Sequence, residues 1–328
     1  MTIQNQFPMT KRMISALAGA TAIALGFWVS PTLAGDPFGR GTTHNIGNNT
    51  EAAFNAAFRE GNYKEARRYL SVAESSETNE PLAYALRASF AYTEQDWEGL
   101  KLYSSKTLAA ARQLTSTDPV RGNLYTAVAH FLEGGYKFKQ DGPVGALSKL
   151  QQAFPYLDEA KRLAPNDPEV NLINGYMELM LAVNLPFSDP SDAIGKLEKY
   201  AKPEYLANRG IALGYRDLKR YGKAMDYVNR ALQQTPNNPE LHYLKAQIQA
   251  AQGNKEKNTA LLQAAKQDFQ RALAKPDLLP KGLTAQIFLE QCRNQNNLDN
   301  KGRDCRALRN PIRDVAGTWG PVELPRLE

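Results

Sequence analysis

Cysteine is scarce in this chain of 328 residues: Cys292 and Cys305 are the whole complement. Histidine is nearly as rare. His44, His130 and His242 lie far apart and none sits at ligand spacing to a cysteine, so no metal site is expected. The 3 tryptophans are few for a sugar-stacking cleft. There is no Gly-rich phosphate loop, no G-x-S-x-G elbow, no H-E-x-x-H helix and no EF-hand ligand series. No cofactor is therefore expected. A dominant charge is missing too. Lys+Arg number 40 against 34 Asp+Glu, the two signs alternate along the chain, and no basic stripe suited to nucleic acid stands out. Carboxylates occur on nearly every helical surface, so no catalytic pair separates from that background.

One long apolar run exists, "MISALAGATAIALGFWV" from Met13 to Val29. Lys11 and Arg12 precede it, and "SPTLAGDPF" follows with Ala34 at a small-residue cleavage position. This is the layout of a secretory signal peptide over residues 1–34. An uncleaved membrane anchor is the alternative, because the run approaches the minimum for a spanning helix. Removal of the leader, which carries Lys11 and Arg12 and no acid, lowers the net charge from +6 to +4 and leaves no membrane span. The expected location is the periplasm, with the thylakoid lumen as the other compartment. In an exported chain the close pair Cys292 and Cys305 suggests a local disulfide that stabilises by about 2–3 kcal/mol; two free thiols are the competing reading.

The rest of the chain is helical in period. "RYGKAMDYVNRALQQTPNNPE" places Ala224, Val228, Ala231 and Pro236 at spacings of four, three and five. The spacing recurs as Ala265, Phe269, Ala272 with Pro276, as Ala66, Leu70, Ala73, and as Ala146, Leu150, Ala153. "STDPV", "PNDPE" and "PNNPE" each offer an Asp or Asn cap ahead of a proline at the first helical position. Turns fall at Gly61-Asn62 and Gly253-Asn254, where glycine is expected to end a first helix. Small residues seven apart share one face and let two antiparallel helices approach closely.

These residues resemble the tetratricopeptide repeat, whose pattern of small and large residues ends in A-x3-F-x2-A and a proline about five residues on. The resemblance implies an all-α fold: a right-handed α-solenoid of paired antiparallel helices, with about six units over residues 50–276 and a terminal capping helix over 277–294. Residues 35–49, "GDPFGRGTTHNIGNN", read as a linker or arm, either a disordered leader or a segment folding back on the solenoid. Residues 295–328 read as an irregular tail, in which Trp319 packs on the last helices or docks to a partner. The third unit carries extra residues around "GGYKFKQDGPV" and the fourth an insertion at "NLPFSDPSD". With its leader, the start of the chain is also similar to a family of exported repeat proteins in cyanobacteria. That likeness implies export and source, without a mechanism.

Stacked units line a concave surface with their first helices, on which a peptide or partner segment can lie. Alignment on helix starts puts Asn55, Tyr92, Asn123, His130, Tyr176, Arg209, Arg216, Tyr243 and Gln247 there. Such residues combine contact area with hydrogen bonding, although half of them are expected to be solvated or to pack neighbouring helices. The family's carboxylate-gripping lysines are absent, since the first unit presents Glu51 and Asn55. The expected role is a non-catalytic protein–protein scaffold or assembly factor. A carbohydrate- or peptidoglycan-active enzyme on paired helices is the alternative, and a structural subunit of an envelope complex is a third.

Overall fold

The computed structural model describes residues 36–40, 44–184 and 190–327. The signal peptide over 1–34, with Trp28, and most of the fourth-unit insertion lie outside the described residues. Among the described residues there are helices and no strands. Six antiparallel pairs follow one another. They are α1 (Asn48–Phe54, continued by a π-helical turn Asn55–Glu60) with α2 (Tyr63–Ser76), and α3 (Pro81–Glu94) with α4 (Trp97–Leu114). The two arms of α5 (Pro119–Leu163) make the third, then α6 (Pro168–Asn184) pairs with α7 (Ser191–Tyr200). After them come α8 (Glu204–Asp217) with α9 (Tyr221–Gln234), and α10 (Pro239–Glu256) with α11 (Thr259–Ala272). A 3₁₀ turn, Pro276–Leu278, leads to α12 (Lys281–Asp299) and α13 (Cys305–Asp314). This is the expected all-α array of about six units and a terminal helix. No helix among the described residues is long and apolar enough to cross a membrane.

The caps fall where the Asx-Pro motifs put them. Asp118 accepts from Arg121 N at 3.0 Å, Asp167 from Val170 N at 2.9 Å, and Asn238 from Glu240 N at 2.9 Å. Each satisfies an N–H that the first turn leaves without an intrahelical partner. The small-residue faces meet inside the pairs. Ala66, Leu70, Ala73, Ala224, Val228, Ala231, Ala265, Phe269 and Ala272 are all at most 1% exposed.

Four details differ from the sequence-based expectation. In the third unit the buried face is Ala153, Leu157 and Ala160, while Ala146 and Leu150 are half-buried. Both arms of α5 run about two turns beyond the common frame, so the contact begins one heptad later. The break between the arms is Gly142, at φ +69°, followed by Pro143, which has no N–H to continue the ladder. Gly253 does not end α10. The helix continues one turn to Lys257, the left-handed residue at φ 53°, and the missing Cβ at Gly253 instead makes room for Leu262. At the other end of the chain α12 extends to Asp299. The tail is not wholly irregular either: it holds α13, tied to α12 by the Cys292–Cys305 disulfide. Beyond α13 the chain returns to pair with the start of α12, through Lys281 N to Thr318 O (2.9 Å) and Gly320 N to Leu279 O (2.9 Å). Trp319 packs within the molecule, 5.8 Å from the guanidinium of Arg67.

The array curls until its ends meet. Asn238, 3% exposed, caps α10 with its Oδ1 and donates its Nδ2 to Phe58 O (2.7 Å) and Arg59 O (3.3 Å) of the first unit. Tyr63 of that unit hydrogen-bonds Glu240. Gly61, at φ +67°, is required twice over. It takes the left-handed conformation that ends the first helix, and a Cβ there would lie 2.3 Å from Pro239 Cδ. One turn on, α3 touches α12.

Asn238→Ala should therefore destabilise by about 2 kcal/mol or more, because a cap and a buried amide donor are lost together. Asn238→Asp keeps the cap and loses the donor, so it should recover little of the loss; chemical denaturation of the two variants against wild type checks this.

Candidate functional site

The inner face of this curl is built from the first helix of each pair. Their backbone groups are satisfied within the helices, so the face presents side chains alone. Leucine, isoleucine, phenylalanine and methionine recur there at helical spacing and converge from five units on one cavity of about 650 Å³. Phe54, Leu86, Phe131, Ile173 and Leu213 represent the five walls. Phe131, Ile173 and Leu213 are only partly buried although they pack against the core. The cavity is where their remaining surface lies.

The arm lines one end of this chamber. Phe38, 1% exposed, packs edge-on against Phe54 (5.1 Å between centroids) and lines the cavity. Ile46 is equally buried. The arm is locked by charge. Arg40 donates to Asp36 Oδ2 (2.6 Å) and Asp167 Oδ2 (2.6 Å), and hydrogen-bonds Glu169. Glu169 also takes Tyr125 and Arg121, and Arg121 reaches Glu80 at 2.7 Å. The N-terminal ends of α3, α5 and α6 thus meet over the arm. His44 hydrogen-bonds Asp118, the cap of α5.

Burial and charge set the titration of this cluster. Burial acts to lower Arg40 and Arg121, but the surrounding carboxylates, Glu169 foremost, hold both guanidinium groups above their ordinary value. Burial pushes Glu80 above the carboxylate range despite Arg121. Asp118 goes the other way. Burial raises it, yet the hydrogen bonds from His44 and from the Arg121 amide bring it below its ordinary value.

The opposite end is polar. Arg216 and Asp217, in the last turn of α8, line the cavity there. Arg216 donates to Asp217 (2.8 Å) and to Gln247 Oε1 (2.6 Å). Gln247 Nε2 and Tyr243 Oη both donate to Glu290 of α12, at 2.9 and 2.8 Å. Arg209, midway along α8, is ion-paired with Glu240. Tyr176 donates to Leu206 O at 2.8 Å, and burial pushes its phenol up to about 12.

Of the nine residues placed on the concave face from sequence, Tyr176, Arg209 and Arg216 line the chamber, and Tyr243 and Gln247 join Arg216 at its polar end. The other four stand elsewhere. Tyr92 is 54% exposed and lies edge-on to Trp97. Asn123 donates back to Pro119 O at 2.7 Å, and His130, on the first arm of α5, is buried and stacked on Tyr156 of the second arm. Asn55 is half-buried in the π-helical turn. The inward face of α3 and α5 is a residue or more away, at Ser89, Val128 and Phe131. Apolar residues at helical spacing, Leu82 and Leu86 on α3 and Val128, Phe131 and Leu132 on α5, are the signal that marks it. Among the described residues no group of three metal-ligating side chains gathers.

No known family profile matches the chain. A stretch of 99 residues, 30% of the chain and 11% of its relative, is 31% identical to human Tetratricopeptide repeat protein 7A. Two solved structures are similar in arrangement. The human IFIT1 dimer with PPP-AAAA matches at TM-score 0.46 and 19% identity, over 80% of this chain and 59% of that one. The human IFIT1 dimer with m7Gppp-AAAA matches at 0.48 and 16%, over 90% and 62%. The chain thus spans less than two thirds of the length of each of these relatives. Its own helical pairs and the 99-residue likeness make it a tetratricopeptide-like helical-repeat protein.

Arg40→Ala strands Asp36 and Asp167 without their cation and leaves Glu169 with Arg121 alone, all three with side chains at most 8% exposed. Breaking such a buried group costs about 3–5 kcal/mol, so the arm should detach and residues 36–46 become open to limited proteolysis while the solenoid stays protected. Docking should also depend on acid. A depressed carboxylate contributes fully above its ordinary value and loses that contribution as pH falls through its folded value. Amide-exchange protection of the arm should thus begin to drop near pH ~4, and Asp118→Asn should flatten that part of the profile.

Proposed function

We propose that this protein is an exported, non-catalytic binding scaffold that holds an apolar group of a partner inside the curl of its repeats. One observation carries the reading: the first helices of five units, while packed on one another, leave apolar side chains such as Phe131, Ile173 and Leu213 partly open to a shared chamber. Leaving that much hydrocarbon surface uncovered is costly at about 25 cal/mol per Å², and an apolar pocket with a few polar groups at one end is the common form of a binding site. Recognition here is by apolar burial, which differs from the hydrogen-bonding peptide groove expected of an open concave face.

Two features support export. Residues 1–34 have the layout of a secretory leader, and the Cys292–Cys305 disulfide suits an oxidising compartment such as the periplasm. The wall chemistry favours binding over catalysis. Ser89 gives its hydroxyl to Ala85 O at 2.9 Å, not to a general base, and Arg209 is held by Glu240. The tetratricopeptide-like fold itself suits a scaffold for a protein or peptide partner.

Fractionation of the native host should find the chain in the envelope compartment with Gly35 as its first residue; a cytoplasmic chain that keeps Met1 would overturn export. Leu213→Glu puts a charge in the chamber wall at a partly buried site, so the fold survives. The variant should fail to recover the stoichiometric partner that the wild type pulls from envelope extract, and equal recovery would remove the chamber from the function.

A further inference from the structure

We propose that the group taken into the chamber is a hydrocarbon chain ending in an acid, of the fatty-acyl kind, and not a peptide backbone. The proposal rests on the binding reading above and names what is bound.

The wall excludes an extended peptide by its chemistry. It is made of helices whose N–H and C=O groups are already paired. The polar side chains along it are spent as well: Tyr176 on Leu206 O, Ser89 on Ala85 O, and Arg209 on Glu240. A strand entering here would lose its hydrogen bonds to water and find none in return. A helix satisfies its own backbone but is about 10–12 Å across. About 650 Å³ then holds under two turns of it, a length at which a helix does not persist in water. A hydrocarbon chain has no polar groups to satisfy, and the volume lies within the ~300–1,000 Å³ of small-molecule sites.

The shape agrees. Along α8 the wall runs from Leu206 to Asp217, about 16 Å at 1.5 Å per residue, so the site is long. Phe38 of the arm lines it at one end, and Arg216 and Asp217 make the other end polar. Arg216 stands at that polar end and also lines the neighbouring cleft with Gln247 and Glu290. A chain inserted with its methyl end toward Phe38 brings its carboxylate to Arg216, which exchanges its bond to the adjacent Asp217 for the ligand. A chain carried on a protein through an ester or amide would have no carboxylate to offer Arg216, so the occupant is a free fatty acid.

The test uses the mature full-length protein and cis-parinaric acid, whose fluorescence rises on entering an apolar site. Saturable binding at one per chain, displaced by palmitate, is expected. Ile173→Trp and Leu213→Trp fill the chamber. With helical circular dichroism and cooperative melting retained, they should weaken binding at least tenfold. Arg216→Gln should weaken palmitate several-fold and leave hexadecanol, which has the chain without the acid, unchanged. Non-saturable binding, equal affinity in both filled variants, or displacement by an apolar helical peptide at lower concentration than palmitate would overturn the proposal. Mass spectrometry of a solvent extract of the natively purified protein should find a free fatty acid; a chain found only in covalent linkage to a co-purified protein would overturn the acid end of the proposal. Partner recovery that Leu213→Glu abolishes, with no fatty-acid binding, sinks the hydrocarbon and leaves the scaffold. Indifference of both assays to the chamber variants sinks both.

Discussion

A single buried amide joins the two ends of the repeat array. Asn238 caps one helix and holds the final carbonyls of another that lies about 180 residues earlier in the chain. Gly61 and Pro239 allow the contact by leaving no Cβ between them, and Tyr63 with Glu240 extends it. Most helical arrays grow as open curves in which each unit touches its neighbours only. Here the curvature brings the sixth unit against the first. The concave side therefore becomes an interior, and interiors of proteins are apolar. The chamber is thus a product of the curl as much as of its lining.

The arm completes that interior at some energetic risk. Asp36, Asp167, Glu169 and Glu80 share Arg40 and Arg121 in a nearly dry setting, with side chains at most 8% exposed. Buried ions of this kind seldom stabilise more than a well-packed apolar cluster would. What they supply is definition. Four acids from the arm, α3 and α6 converge on two guanidinium groups, so only one seating of the arm satisfies all of them. The elevated position of Glu80 shows the cost of burying a carboxylate here, while on the flank Asp118 is brought below its ordinary value by its hydrogen bonds, against its own burial.

Much of the fold was legible because it rests on local rules. Asp118, Asp167 and Asn238 sit ahead of prolines and cap as their side chains dictate, and the Ala224, Val228, Ala231 triplet packs as its spacing requires. The misplacements have local causes as well. Extra length in both arms of α5 shifts the buried triplet to Ala153, Leu157 and Ala160, and no residue in the motif records that shift. Gly253 looks like a terminator and serves as a packing gap. The inner surface was hard to place because the search was for polar, peptide-gripping residues. Tyr92 and His130 met that description, while Ser89 and Phe131 beside them face the cavity. Local reasoning leaves the arm open between a disordered leader and a segment folding back on the solenoid. "GDPFGR" has no secondary structure to betray it, and the partners of Arg40, Asp167 and Glu169, lie some 130 residues away. Contacts at that separation belong to the tertiary fold alone.

The meeting of first and sixth units has a consequence for how such a chain can change. In an open array, duplication or deletion of one repeat alters reach and little else. In this one, a shift by a single repeat would carry Asn238 and Glu240 away from the carbonyls and the phenol they serve, and would move α12 off α3. The copy number behaves like the circumference of a wheel, set by the need to come full circle. Variation is then confined to what hangs outside the rim, as the overlong arms of α5 do.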